Sequence, residues 1–216
     1  MLRSCNALFA VAVALVLAAP AVGQEDRPAS PRGEASTQVG GEWVTQENGR
    51  TRYEGGQWLD VDYGRPILRG REDVFGSGES YGEQVLAGAP VWRAGANQTT
   101  RLSTEAPLVI GGERIEPGEY SLFVDLAEDG WTLIVSSQPH QETFSRDEEV
   151  ATWGAYRYDP EYDVVRAPMT MDTSEHTIDQ FTILFVDVTA AGGKLAMAWE
   201  DTVAVVPFEV AGEGAE

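Results

Sequence analysis

The chain changes its pattern of apolar and polar positions twice: Ala7 to Ala19 is an unbroken apolar run, the residues up to about position 56 are mainly small and polar, and beyond them apolar and polar residues alternate with period two. Period-two alternation places successive side chains on opposite faces of a strand. In Trp58-Leu59-Asp60-Val61-Asp62-Tyr63, the residues Leu59, Val61 and Tyr63 share one face and the two aspartates the other. This segment is predicted to be a half-buried strand.

The same signal recurs with turn chemistry between its repeats. Leu108-Val109-Ile110 and Arg114-Ile115 flank Gly111-Gly112, a pair that can take the positive φ of a tight hairpin at little cost. Pro117-Gly118 is placed as the centre of a type II turn leading into Tyr120–Val124, and Asp129-Gly130 precedes Trp131–Val135. Phe181–Val188 and Lys194–Trp199 are joined through Ala190-Ala191-Gly192-Gly193, and Thr202–Phe208 closes the pattern. The only helical signal is a turn or two at Ser145–Val150, where Ser145 and Glu148 have capping-box spacing. Many short strands with Gly and Pro turns predict an all-β fold, an antiparallel β-sandwich or jelly roll in one domain.

The apolar run has a different role. Arg3 precedes it, Ala21-Val22-Gly23 follows it with a small-x-small ending, and it is shorter than the about 20 residues needed to span a bilayer. The expected organisation is a signal peptide at 1–23, a flexible low-complexity lead-in at 24–56, the sandwich at 57–210 and a short tail at 211–216. The protein is then exported, periplasmic or extracellular, without a stable membrane anchor. Cys5 is the one cysteine, so the mature chain has no disulfide, thiolate nucleophile or cysteine metal site.

Charge narrows the partners. The chain has 35 Asp and Glu against 15 Lys and Arg, and residues 115–216 alone hold 21 acids and 4 bases. Nucleic acid and anionic membrane bind through basic clusters, so neither is an expected partner. Residues 50–114, with 9 acids and 8 bases, are nearly neutral.

Several motifs dissolve on inspection. Gly78-Glu79-Ser80-Tyr81-Gly82 satisfies G-x-S-x-G but lacks the strand and helix of a nucleophile elbow, and reads as a surface loop. Asp159, Glu161 and Asp163 lack the glycine and terminal glutamate of a calcium loop. His140 and His176 lack the i, i+4 spacing of a helical zinc pair. No metal or cofactor is expected.

Tyr63-Gly64-Arg65-Pro66, Gly70-Arg71, Phe75-Gly76, Val91-Trp92-Arg93-Ala94-Gly95-Ala96-Asn97, Gly118–Phe123, Trp131–Ile134 and Trp153-Gly154-Ala155-Tyr156 follow one another in an order that resembles the bacterial domain-of-unknown-function family 2911. The resemblance covers roughly positions 57–210 and implies an exported, β-rich, single-domain protein; it carries no activity. A Tyr-Gly pair typically stands just before Val-Trp-Arg in that family, whereas here Glu83–Pro90 intervene after Tyr81-Gly82, so Tyr81 is left out of the site.

The remaining chemistry lies in the neutral stretch. Guanidinium groups read carboxylate or phosphate with a two-pronged fork, and Trp and Tyr offer planar faces to a sugar or ring. Arg65, Arg71, Trp92, Arg93 and Asn97, with Trp153 and Tyr156 from the later motif, are therefore the candidate ligand-binding residues, for a small anionic or glycan-like ligand or a partner protein. The bland alternative makes them scaffold, with the arginines paired to carboxylates and the tryptophans in the core. The functional expectation is a non-enzymatic binding module, and the alternative is a hydrolase of cell-envelope material or exported nutrient using a carboxylate pair. Arg93 discriminates scaffold from site: a scaffold arginine sits against Asp or Glu, a functional one stands open beside Arg65 or Arg71.

Overall fold

The computed structural model describes residues 28–212. The expected signal peptide and the last four residues of the expected tail lie outside them. The described residues form twelve strands: β1 (Arg32–Val39), β2 (Glu42–Thr45), β3 (Thr51–Glu54), β4 (Gln57–Gly64), β5 (Thr100–Thr104), β6 (Leu108–Ile110), β7 (Glu113–Ile115), β8 (Gly118–Ala127), β9 (Gly130–Ser136), β10 (Asp163–Pro168), β11 (Thr170–Thr189) and β12 (Gly192–Val210). They make a six-stranded sheet in the order β1-β4-β5-β8-β9-β10, a four-stranded sheet β11-β12-β6-β7, and the separate β2-β3 hairpin. All pairings between these strands are antiparallel. This is the expected all-β class.

The two sheets bury one core between them. Leu59, Val61 and Tyr63 enter it from β4, Leu122 and Val124 from β8, and Leu133 and Val135 from β9, facing Phe181 and Ile183 of β11 and Met197, Trp199 and Phe208 of β12. Phe123 and Ile134 point to the opposite face of the six-stranded sheet, where Val91 and Ala155 cover them. That cover explains why β8 and β9 read as continuous apolar runs: their middles are buried on both sides. The Gly111-Gly112 turn is as predicted, with φ of 61° and 90° at the two glycines.

Three expectations are corrected. The supposed flexible lead-in at 24–56 holds β1, paired along its whole length with β4, and the β2-β3 hairpin. Its inward positions are Gly33, Ala35, Thr37 and Val39, too small to register as a core pattern, because Tyr63 and Arg65 fill the space beside Gly33. The helical turn at Ser145–Val150 is absent: the Ser145 hydroxyl accepts from the Asp147 amide at 3.2 Å, and a Glu148 carboxylate oxygen accepts from the Val150 and Ala151 amides at 3.1 Å each, closing turns instead. The one α-helix among the described residues, α1 (Glu83–Leu86), is unexpected and lies in the stretch that separates Tyr81-Gly82 from Val91-Trp92.

Candidate functional site

At one end of the sandwich β5 stops at Thr100 and Trp92 takes over its lane beside β8, exchanging two backbone hydrogen bonds of 2.8 Å with Val124. Alternation then sends Trp92 inward, where it is 1% exposed, and turns Arg93 away from the core. Behind Arg93 the chain must double back to reach Thr100. Ala94 and Asn97 adopt positive φ of 47° and 63° to do so, a conformation costly for most residues and tolerated by Asn. The loop is pinned by the Ala96 amide donating to Gly64 O at 3.2 Å, by the Thr100 hydroxyl donating to Ala94 O at 2.9 Å, and by the Asn97 amide donating to Ser30 O at 3.2 Å.

Arg71 arrives from the loop after β4. Its Nε and Nη2 donate to the carbonyls of Leu68 at 3.1 Å and Ile67 at 3.0 Å, and its guanidinium lies 5.7 Å from the ring centre of Trp199 on β12. Leu68 is itself hydrogen-bonded to Asp179 O of β11 at 2.7 Å, and the carboxylate of Glu200 accepts from the amides of Asp73 and Val74. The position of Arg71 is thus set from both strands of the β11-β12 ribbon.

These elements enclose a cleft of about 230 Å³ whose lining includes Arg71, Trp92, Arg93, Asn97 and Trp199, with Gln84 and Val85 of α1 forming a further wall. Four of the seven candidate residues come together there. Arg93 donates one hydrogen bond, to Asn97 O at 3.0 Å, and packs its guanidinium on the bare Cα of Gly154. Neither Arg71 nor Arg93 meets a carboxylate among the described residues, and no Asp or Glu lines the cleft. By contrast Arg32, Arg101, Arg114, Arg166 and Lys194 all form ion pairs. Burial pushes the Arg93 guanidinium below the usual arginine pKa, with no neighbouring carboxylate to hold it up. Arg93 therefore meets neither expectation in full: it sits against no Asp or Glu among the described residues and shares the cleft with Arg71 and not with Arg65, but it is half-buried rather than open.

The model of the family described as "Protein of unknown function (DUF2911)" matches residues 45–208. The chain belongs to the DUF2911 family. No curated protein and no solved structure matches it. The DUF2911 match takes in every lining residue of the cleft except Ser30.

The other candidates lie elsewhere. Arg65 donates to Phe181 O at 3.2 Å and to the Thr182 hydroxyl at 3.0 Å, tying the end of β4 to β11 across the sandwich. Trp153 and Tyr156 sit on the far side of Gly154 in a surface cluster with Phe144, whose ring centre is 6.2 Å from Trp153 and 6.3 Å from Tyr156. Trp199 was missed because its strand pattern gives no hint that its ring supports an arginine from another loop. Tyr81, set aside in the sequence, is structural: its hydroxyl accepts from the Trp131 indole at 2.7 Å.

A second group beside the Asn97-Gln98 turn also went unseen. Arg101 links Asp62 at 3.3 Å and Glu142 at 2.7 Å and lies 2.7 Å from His140 Nε2, while Arg32 holds the other oxygen of Asp62 at 2.8 Å. Among the described residues no group of three or more His, Cys, Asp or Glu is placed to hold a metal. The hydrogen bond from Arg32, and the charges of Arg32 and Arg101, hold the Asp62 carboxyl below its ordinary range against the opposing effect of burial. A depressed folded-state pKa contributes stability above the unfolded value of about 3.9, lost as pH falls through the folded one. Asp62→Asn is therefore expected to lower Tm at pH 7 by about 2 °C, a partly exposed pair being worth at most about 1 kcal/mol. Calorimetry at pH 7 and at successively lower pH checks this, the difference from wild type narrowing as the pH falls below the unfolded value.

Proposed function

We propose that the protein is an exported, non-enzymatic binding module that takes a small carboxylate- or phosphate-bearing ligand in the Arg71–Arg93 cleft. The observation that carries this reading is the convergence of two guanidinium groups on one cleft without a counter-ion among the described residues, in a chain whose acids outnumber its bases 35 to 15. A half-buried cation is costly unless paired, and a ligand anion supplies the pair. Among the described residues only Nη1 of Arg93 is hydrogen-bonded, which leaves Nε and Nη2 for a two-pronged contact, and Trp199 with Val85 gives the cleft an apolar side. The volume is below the usual ~300 to 1,000 Å³ of drug-sized pockets, which suits a metabolite-sized anion. The hydrolase alternative finds no support in this lining, because acid–base hydrolysis of a glycoside needs two carboxyl groups flanking the bond and among the described residues no Asp or Glu lines the cleft. Export rests on the Ala7–Ala19 run and the cleavage pattern after it.

A thermal-shift panel of sugar acids, phosphates and dicarboxylates tests the reading. A ligand at about 100 times its Kd contributes about 2.7 kcal/mol, which raises Tm by about 5 to 10 °C in a protein of this size. The rise is expected in wild type and absent in Arg93→Ala. A flat response across the panel, with Arg93→Ala simply less stable, makes the arginines scaffold.

A further inference from the structure

At the far side of β1 the β2-β3 hairpin and the β11-β12 turn enclose a second depression, of about 290 Å³, lined by Gln38, Trp43, Tyr53, Val188, Thr189 and Ala190. None of the six carries a charge, in a chain with net charge −20. Trp43 is 72% exposed, the most exposed large apolar side chain among the described residues.

Its aromatic wall is held in place from below. The Trp43 and Tyr53 ring centres are 5.2 Å apart with their planes at 58°, and the Tyr53 hydroxyl accepts from the Gly41 amide at 3.0 Å. Gly41 and Gly56 leave the room that Tyr53 occupies: a Cβ on either would come within 2.6 Å of its ring. The hairpin base is tied to the opposite wall by the Gly40 amide donating to Ala190 O at 2.8 Å. The Thr189 hydroxyl is engaged with its own turn, donating to Gly192 O and accepting from the Ala191 amide. Gln38 supplies the lining's one side-chain amide, able to both donate to and accept from a ligand.

We propose that this depression is a binding site for a neutral saccharide, with a pyranose ring stacked on Trp43 and its hydroxyls read by the Gln38 amide. A fixed aromatic face beside one amide, without charge, complements a ligand that has an apolar C–H face and a polar edge. A lipid surface is a poorer match, since the hairpin carries Glu42, Glu47 and Glu54 against Arg50 and Arg52 and anionic membranes draw basic segments. A second copy of the chain is also a poorer match, since six residues fall far short of the about 20 to 30 per side of a stable interface.

Titration calorimetry of the purified protein with neutral linear trisaccharides of glucose and of N-acetylglucosamine tests this. The expected result is saturable binding of at least one, weakened 10-fold or more in Trp43→Ala, weakened in Gln38→Ala and unchanged in Arg93→Ala. Because Trp43 is exposed, Trp43→Ala is expected to keep its Tm within about 1 °C, so lost binding is not unfolding. Absence of binding to both trisaccharides, or equal binding by Trp43→Ala, overturns the proposal. So does self-association, or binding to neutral phosphatidylcholine vesicles, that Trp43→Ala abolishes, since either gives the patch to a different occupant.

Discussion

Replacing Trp92 with alanine is expected to destabilise the protein by about 3 to 5 kcal/mol, the range for removing a large aromatic from a packed core, and to lower Tm by about 6 to 20 °C. The indole is the hub of an aromatic cluster: its ring centre lies 5.0 Å from Phe181, 5.7 Å from Phe75 and from Trp131, and 6.4 Å from Trp199, to which it is nearly parallel at 10°. Both sheets and the loop carrying Phe75 meet at this one side chain. The cavity left behind would also loosen Trp199, the shelf for Arg71, so any ligand affinity should fall with stability. Trp92→Phe should lose less of both. Chemical denaturation of the three proteins gives the comparison, and a loss below about 1 kcal/mol in Trp92→Ala would mean that the cluster does not hold the sandwich together.

Gly64→Ala is expected to cost about 2 to 3 kcal/mol, at the upper end for forcing a methyl into a packed site, and to abolish binding in the cleft. A Cβ at Gly64 would fall on the backbone carbonyl of Ala96, which no side-chain rotation can clear. The loop from Ala94 to Asn97 would have to move, taking the Arg93–Asn97 contact with it. Gly130→Ala is the matched control: nothing lies within 4 Å of the added methyl and its φ is not positive, so its stability should stay near wild type. Paired denaturation curves, with the anion panel repeated on both variants, check the stability and binding effects together.

Strands in which large apolar residues alternate were legible in the sequence, because the core selects that alternation directly: Leu59, Val61 and Tyr63 do face inward together. Strands that satisfy their neighbours with small or polar residues were not. β1 packs glycine, alanine and threonine against larger residues of β4, and the first half of β11, from Thr170 to Gln180, is largely exposed and held mainly by its ladder to β12. The site was legible where a single segment builds it. Trp92, Arg93 and Asn97 lie within six residues, and strand alternation alone separates core Trp92 from cleft Arg93. Long-range partners were not legible: Arg65 turns to β11, Trp199 comes to Arg71 from the last strand, and His140 reaches Arg101 through a loop. The motif Trp153-Gly154-Ala155-Tyr156 serves the site by its least conspicuous member, since the guanidinium of Arg93 rests on Gly154 while both aromatics face elsewhere.

Whether Arg71 and Arg93 receive one anion together is read by arginine side-chain nuclear magnetic resonance. Nε–H signals, assigned through Arg→Lys variants, would be followed while the most stabilising anion of the thermal-shift panel is added at constant ionic strength. Saturable shifts of Arg71 and Arg93 with one shared Kd are expected, while the signals of the ion-paired Arg114 and Arg166 stay in place. Signals of Arg71 and Arg93 that remain still, or that drift without saturating along with every exposed arginine, would contradict it.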